Sequence, residues 1–179
     1  MDIKLRTSVS AEDMDIMERI NTEAIPDNER TSLYDMRSTG ADIIGIYADG
    51  EPVGFLAVRI FERICYLAYF AVRRDMRSSG IGGEALRQLI DSYSGYQVIA
   101  EHEAPDSAAP DSDIRRRRKR FYLRNGFHET GWYNYYDDTE FEIVCSDSAF
   151  DDMAFGRFVA HLETFISDKI PRPYRKDRP

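Results

Sequence analysis

The segment that decides the fold is residues 69–86, with the sequence YFAVRRDMRSSGIGGEAL. An apolar run ends at Val72, an arginine-rich polar turn follows, and glycines then open a segment in which apolar residues have helical spacing. The first amides of a helix have no acceptor within the helix, and its N-terminus carries about half a positive charge. Glycines let that backbone approach a phosphate closely. The segment therefore predicts an anion site, where Arg73, Arg74 and Arg77 add positive charge.

The spacing of the glycines separates this turn from two other phosphate-binding loops. The pattern Arg77-x-x-Gly80-x-Gly82 is not G-x-G-x-x-G, and no Gly-Lys-Ser/Thr follows it. The turn also follows a predicted antiparallel meander, whereas a dinucleotide-binding fingerprint opens a βαβ unit. A glycine-rich turn that only connects a strand to a helix stays the alternative.

The rest of the chain has the element order of an α/β fold. Asp49-Gly50 is a strong hairpin signal between two apolar stretches. Strands are predicted at residues 3–6, 42–47, 52–61, 64–72, 97–103, 127–136 and 139–145. Helices are predicted after an N-cap at Ser10 and at residues 31–37, 84–93, 114–125 and 150–166. This order predicts a mixed sheet with helices packed on its faces.

The size and composition favour one folded domain. The chain has 179 residues, of which 42% are hydrophobic and 12% aromatic, and this composition argues against disorder. Domains commonly have about 100–200 residues, and no linker or internal repeat divides the sequence. We predict a single domain over residues 1–170 and a flexible C-terminal tail over residues 171–179.

Charge and rare residues argue against several classes of protein. The net charge of −8, from 32 acidic and 24 basic residues, is unfavourable for a general nucleic-acid binder. The spacing of two cysteines and three histidines suggests neither a disulfide scaffold nor a metal site. No signal-peptide pattern and no apolar run of about 18 residues is present, so we expect a cytoplasmic protein without a membrane partner.

The glycine motif that starts at Arg77 and follows the strand end at Val72 resembles the acetyl-CoA signature of the GNAT superfamily of N-acetyltransferases. The resemblance implies acetyl-CoA as cofactor, with its pyrophosphate on the backbone amides of residues 77–83. It also implies that the backbone of Phe70 and Val72 pairs with the pantetheine arm like an added strand. The implied cofactor-binding residues are Phe70, Ala71, Val72, Arg77, Ser78, Ser79, Gly80, Ile81, Gly82 and Gly83.

A second motif supports the same resemblance. Phe121-Tyr122, followed after three residues by Gly126-Phe127, is similar to a Phe-Tyr-x₃-Gly-Phe signature of the family. The two motifs occur in the family's order, and the resemblance covers about residues 3–145. It implies a GNAT-like α/β fold, with a mixed, mostly antiparallel central sheet and helices on both faces.

The resemblance implies an acetyl-CoA-dependent N-acetyltransferase that transfers the acetyl group to a primary amine of a small molecule. Direct attack with general acid and base assistance needs no acyl-enzyme, so Cys65 and Cys145 are interpreted as buried structural thiols. Transfer to a protein or peptide amine is the first alternative, and a module that binds CoA without catalysis is the second. A monomer or homodimer is expected.

Three residues are candidates for acid and base catalysis. Tyr122 occupies the position where many family members place the tyrosine that protonates the CoA thiolate; a tyrosine that fills a helix–sheet interface is the alternative. Glu101 and Glu103 lie two apart on a predicted strand, so they share one face, opposite His102. Either could be the base, or both could attract a cationic amine; solvated carboxylates at a strand end are the alternative.

The basic run at residues 115–120 contrasts with the acidic chain. It could attract the phosphates of CoA, bind nucleic acid, or form a solvated helix face. The family pattern has a small residue four places before the tyrosine and often asparagine three places further back. Here these positions hold Arg118 and Arg115, so the family's asparagine contact to CoA is absent.

Glu29 and Arg30 resemble the acceptor-facing region of the family and are the candidate substrate-binding residues. Together with Glu101 and Glu103, Glu29 mildly favours a basic acceptor, such as a polyamine, an aminoglycoside or a lysine-like amine.

Overall fold

The computed structural model describes residues 1–136 and 138–176. Their contacts group into two compact units, one of residues 1–60 and 67–92 and one of residues 61–66 and 93 onward. We call these the first unit and the second unit. A single domain over residues 1–170 stays a prediction, and residues 177–179 of the predicted tail lie outside the described residues.

The elements follow the predicted order. The strands are β1 (Ile3–Arg6), β2 (Asp42–Ala48), β3 (Glu51–Phe61), β4 (Ile64–Val72), β5 (Gln97–Glu103), β6 (His128–Tyr136), β7 (Thr139–Cys145) and β8 (Tyr174–Arg175). The α-helices are α1 (Ala11–Ala24), α2 (Leu33–Ser38), α3 (Ile81–Ser92), α4 (Ser112–Arg124) and α5 (Asp152–Leu162). Within the described ranges, none of these helices has the length and apolarity needed to cross a membrane.

The predicted elements are confirmed, with shifts at their ends. Helix α3 begins three residues earlier than predicted, because Gly82 and Gly83 continue into its first turn. Helix α5 ends at Leu162, and the amides of Phe165 and Ile166 then bond to the Leu162 carbonyl as a closing turn. Residue propensities and hydrophobic patterns do not predict the exact first and last residue of a helix.

The first unit has the strand order β1-β2-β3-β4. The pair β1 and β2 and the pair β2 and β3 are antiparallel. Asp49 and Gly50, with φ of 50° and 92°, form the predicted hairpin turn between β2 and β3. Ser10 caps α1, as predicted, by accepting the Asp13 amide at 3.1 Å. The core joins apolar side chains of α1 and α2 to the sheet, among them Met14, Met17, Ile20, Leu33, Met36, Ile43, Phe55 and Ala57.

The second unit has the strand order β5-β7-β6-β8, and its pairs are all antiparallel. Helix α5 covers the face that carries Ile99 and Ile143. Tyr122 of α4 stacks on His102, which points to the other face. Since side chains alternate along a strand, Glu101 lies on the face that α5 covers and His102 on the face that α4 covers.

Part of the predicted tail over residues 171–179 forms a strand, and the flexibility of the tail stays a prediction. Tyr174 and Arg175 form β8, opposite Tyr133 and Trp132 of β6. The Tyr174 hydroxyl donates to Glu140 at 2.5 Å, and Lys176 forms an ion pair with the same carboxylate at 2.5 Å. A sheet edge offers unpaired backbone groups, so a short segment with one aromatic and one cationic anchor can pair there.

Candidate active site

The predicted anion-binding turn lies in the first unit, between the end of β4 and the start of α3. After Val72 the short 3₁₀ helix Arg74–Met76 turns the chain, and α3 begins at Ile81. Ser78 and Gly80 have positive φ values of 65° and 89°. A Cβ added at Gly80 would meet no atom within 4 Å, so the backbone conformation rather than space favours glycine here.

Two hydrogen bonds fix this turn. Arg77 Nε donates to the Val72 carbonyl oxygen at 3.0 Å, and Ser79 Oγ donates to the Met76 carbonyl oxygen at 2.6 Å. The first amides of α3 have no acceptor within the helix. Free amides, a helix N-terminus and an arginine form a donor set for a pyrophosphate, so residues 77–83 fit the phosphates of CoA.

The strand before the turn is closely packed by β3. Ala71 and Val72 are buried, and a Cβ at Gly54 would lie 2.4 Å from the Ala71 carbonyl oxygen. The side chain of Ile81 is also buried, so its contribution to a ligand would come from its amide. Gly54 is a site-supporting residue that the sequence analysis missed, because its role depends on the register of two strands. The pairing of Phe70 and Val72 with pantetheine stays a prediction.

The candidate acceptor residues Glu29 and Arg30 lie in the loop between α1 and α2 of the first unit. Tyr69 of β4 holds this loop, since its hydroxyl donates to the Glu29 carbonyl oxygen and accepts from the Thr31 amide at 3.2 Å. The Arg30 guanidinium forms an ion pair with Asp27 at 2.5 Å. The loop is therefore anchored through its backbone, and the Arg30 charge is paired within it.

Glu101 has the most unusual surroundings of the predicted catalytic residues. Its partly buried carboxyl lies in the second unit, on the face that α5 covers. Oε1 accepts from the Tyr66 hydroxyl at 3.0 Å and from Asn134 Nδ2 at 2.6 Å. Burial raises the pKa of this carboxyl to about 7, although these hydrogen bonds act to lower it. The group is thus about half ionised at neutral pH, which suits a general base.

No sequence pattern predicts the side chains that surround Glu101. Asn134 of β6 is fully buried, and Tyr66 of β4 packs on Phe158 with ring centroids 5.2 Å apart. The Tyr136 hydroxyl lies near the same carboxyl, outside regular hydrogen-bond geometry. Alternation along the predicted strand places residues 134 and 136 on one face. Which carboxylate they meet depends on the pairing of β6 with β7 and β5, which no local pattern encodes.

Tyr122 lies on the opposite face of the same sheet and is 8% exposed. Its ring stacks on His102 at 5.7 Å and meets Phe127 edge-on at 5.4 Å. Burial raises the pKa of its hydroxyl to about 12, so the hydroxyl stays protonated at neutral pH. Its ring fills the helix–sheet interface, while its hydroxyl keeps the proton that a general acid needs.

Glu103 and His102 have partners of their own. Glu103 Oε2 accepts from Arg118 Nη1 at 2.7 Å. His102 is buried, with Nδ1 3.0 Å from the Glu103 carbonyl oxygen and Nε2 3.7 Å from Glu142 Oε2. Burial lowers the pKa of His102, which favours the neutral ring. Of the two candidate carboxylates, Glu103 is paired with a cation, whereas neutral donors surround Glu101.

Most of the basic run at residues 115–120 is paired with carboxylates of the second unit. The ion pairs are Arg115 with Asp111, Arg116 with Asp113, Arg118 with Glu103, and Lys119 with both Glu129 and Glu142. Arg115 and Arg118, which stand where the family has asparagine and a small residue, are therefore in ion pairs. A role of the run toward CoA phosphates stays a prediction.

Cys65 and Cys145 are both buried. Burial raises the pKa of the Cys145 thiol to about 11, so the nucleophilic thiolate is disfavoured at neutral pH. This supports their interpretation as structural thiols.

The structure distributes the predicted site residues over the two units. Glu101, Glu103 and Tyr122 all lie in the second unit, where β5 carries both carboxylates and α4 carries the tyrosine, but Glu101 and Tyr122 are on opposite faces of the sheet. The glycine-rich turn, Glu29 and Arg30 lie in the first unit.

A comparison with protein families identifies the domain type. Residues 39–129 match the model of the acetyltransferase (GNAT) domain. The matched stretch contains the glycine-rich turn, both candidate carboxylates and Tyr122. No curated protein sequence matches the chain.

Solved structures resemble the fold over most of the chain. A GNAT-family acetyltransferase from Bacteroides thetaiotaomicron is 22% identical with a TM-score of 0.71, and the match covers 92% of this chain and 98% of that one. The ribosomal-protein-S18-alanine N-acetyltransferase from Escherichia coli is 19% identical with a TM-score of 0.60, covering 80% and 92%. A GNAT-family acetyltransferase from Elizabethkingia anophelis with acetyl-CoA bound is 14% identical with a TM-score of 0.58, covering 80% and 96%. At these identities the likeness concerns the fold.

Proposed function

The chain belongs to the GNAT family of acetyltransferases, and we propose that it acetylates the primary amine of a small molecule. Acetyl-CoA is the cofactor and supplies, when bound, the thioester from which the acetyl group is transferred. The observation that carries the proposal is Glu101, a partly buried carboxyl whose pKa of about 7 makes it a base at neutral pH.

The glycine-rich turn binds the phosphates in this proposal. The amides at the start of α3 donate to the pyrophosphate, and Gly80 allows the backbone to take the required conformation. Arg77 adds positive charge while its Nε bond to Val72 keeps the turn in place. The backbone of Phe70 and Val72 orients the pantetheine arm.

Glu101 acts as the general base. An alkylamine is mostly protonated at neutral pH, whereas attack on a thioester requires the neutral nitrogen. The ammonium first releases one proton to solvent, and the ionised Glu101 carboxylate then accepts a second proton from the amine nitrogen, directly or through one water, as the new C–N bond forms. Glu103, which is paired with Arg118, is better suited to attract a cationic acceptor than to take its proton.

Tyr122 acts as the general acid. When the C–S bond breaks, the departing sulfur carries negative charge, and the Tyr122 hydroxyl donates its proton to that sulfur. Its pKa of about 12 keeps the proton available until then. No step needs a covalent bond to the protein, in keeping with two buried cysteines.

The kind of acceptor is the finer part of the proposal. Glu29, Glu101 and Glu103 favour a cationic small molecule, such as a polyamine, an aminoglycoside or a lysine-like amine. Transfer to a peptide or protein amine is the runner-up, and a CoA-binding module without catalysis is the other alternative.

The proposal is tested by release of free CoA thiol from acetyl-CoA across a panel of amines. The panel contains polyamines, aminoglycosides, lysine derivatives and peptides with free N-termini. We expect the highest kcat/KM with a small cationic amine. A preference for peptides would favour the runner-up, and binding of acetyl-CoA without CoA release from any amine would favour the non-catalytic module.

A further inference from the structure

Asn134 is a fully buried polar residue in the middle of β6 whose side chain faces Glu101. Its Nδ2 donates to Glu101 Oε1 at 2.6 Å, the shorter of the two hydrogen bonds to that oxygen. A residue pair 33 positions apart in sequence is thus joined by one bond on the inner face of the sheet.

The other end of the same amide has no partner. Among residues 1–136 and 138–176, no donor reaches Asn134 Oδ1, although this atom is buried. Buried acceptors are normally satisfied, so an exception needs an explanation. An ionised carboxylate only accepts hydrogen bonds, and therefore the amide must turn its NH₂ group toward Glu101. Glu101 therefore sets the orientation of the Asn134 amide, and in this orientation Asn134 Oδ1 has no hydrogen-bond donor.

The other groups that face Glu101 are neutral. Tyr66 donates to Oε1 from β4, and the Tyr136 hydroxyl approaches from β6. β7 places Ile143 opposite Glu101, and α5 contributes apolar side chains to this face. Within the described residues, the Glu101 charge is thus balanced by dipolar donors and no Lys or Arg pairs with it.

We propose that Asn134 is a positioning residue that fixes the Glu101 carboxylate and sets the pH at which it becomes a base, with Tyr66 as the second donor. The proposal rests on the proposed function of Glu101. Each donor stabilises the ionised form, and loss of one donor makes proton loss harder. Two donors on one oxygen also restrict the rotamer of the carboxyl.

The test replaces each donor separately. Asn134→Leu keeps a similar volume and removes the amide, and Tyr66→Phe removes one hydroxyl from a ring that stays packed on Phe158. The Glu101 carboxyl is titrated by NMR in protein with ¹³C-labelled glutamate carboxyls, and its signal is identified by its loss in Glu101→Gln. Both substitutions should raise the titration midpoint from about 7 by about one pH unit, a tenfold change in proton affinity. The acidic limb of kcat/KM against pH should move by the same amount.

Controls separate this role from packing. Tyr135→Phe changes the exposed neighbour on the opposite face of β6 and should move neither the midpoint nor the pH profile. Asn134→Ser restores a small donor, so its midpoint should lie between those of the wild type and Asn134→Leu. Unchanged midpoints in folded Asn134→Leu and Tyr66→Phe would overturn the proposal. If the midpoints shift while the wild type acetylates no amine, the proposed function fails and the positioning role stands.

Discussion

At the scale of single residues, the proposed chemistry depends on one group that can accept a proton at neutral pH and one that keeps its proton. Glu101 is partly buried and balanced by neutral donors, so its pKa lies near 7, whereas burial raises the pKa of Tyr122 to about 12. They lie on opposite faces of the second unit's sheet. Glu101 belongs to β5, and Tyr122 belongs to α4, the helix that packs on the other face. The proposed base and the proposed acid can therefore be in their active forms at one pH, because their surroundings differ.

Glu101→Gln tests the base. The carboxylate is the active form, so the wild-type profile of kcat/KM against pH should contain an ionisation near pH 7 in addition to that of the amine. The substitution should lower kcat/KM by about 100-fold or more and abolish the first of these ionisations, since the amide accepts no proton. Glu103→Gln is the matched control and should cost much less. An equal loss in both variants would contradict the assignment of Glu101 as the base.

Tyr122→Phe tests the acid. The variant keeps the ring contacts with His102 and Phe127, so the fold and the acetyl-CoA dissociation constant should hardly change. We expect kcat to fall by about 100-fold because the departing sulfur loses its proton donor. Steady-state kinetics and calorimetric titration measure the two quantities. If kcat were unchanged and only the melting temperature fell, Tyr122 would be a packing residue.

At the scale of elements, the turn between β4 and α3 joins a buried strand to a helix N-terminus through residues of positive φ. The Arg-x-x-Gly-x-Gly pattern predicts this turn because glycine and a helix start have local signatures. The same local logic finds the Asp49-Gly50 hairpin and the Ser10 cap. Gly54 has no local signature. Glycine is required there because the neighbouring strand comes so close that a Cβ would have no room.

Gly80→Ala tests the turn, and Gly40→Ala is its matched control. Both glycines have positive φ, of 89° and 84°, and a Cβ at either would meet no atom within 4 Å. Each substitution should therefore destabilise the fold by about 1–2 kcal/mol through backbone conformation alone. Only Gly80→Ala should weaken acetyl-CoA binding, as measured by calorimetry. Equal affinities in the two variants would contradict a phosphate-binding role of the turn.

At the scale of the whole molecule, the sequence predicts the element order and the family. It does not predict which residues surround Glu101, because strand pairing between distant parts of the chain places them there. Tyr66, Glu101 and Asn134 lie on three strands, and only the register of those strands brings them together. The tail shows the same limit, because β8 exists through its contacts with β6 and Glu140 and not through its own propensity.

Ending the chain after Pro173 tests the contribution of β8. Removal of Tyr174 and Lys176 deletes their bonds to Glu140 and exposes the β6 edge. For a protein of this size, a loss of about 1 kcal/mol lowers the melting temperature by about 2–4 °C. A chain that ends at Lys176 keeps β8 and is the control for shortening the chain. Identical melting of all three would show that β8 adds no stability.

The central claim is that this chain transfers the acetyl group of acetyl-CoA to a primary amine by direct attack. Its most direct test is mass spectrometry of products and protein after reaction with acetyl-CoA labelled in the acetyl group. We predict the label on the amine nitrogen of a small cationic acceptor and none on the protein, with the yield strongly reduced in Glu101→Gln. No labelled amine from any acceptor, or label held on Cys65 or Cys145, would contradict it.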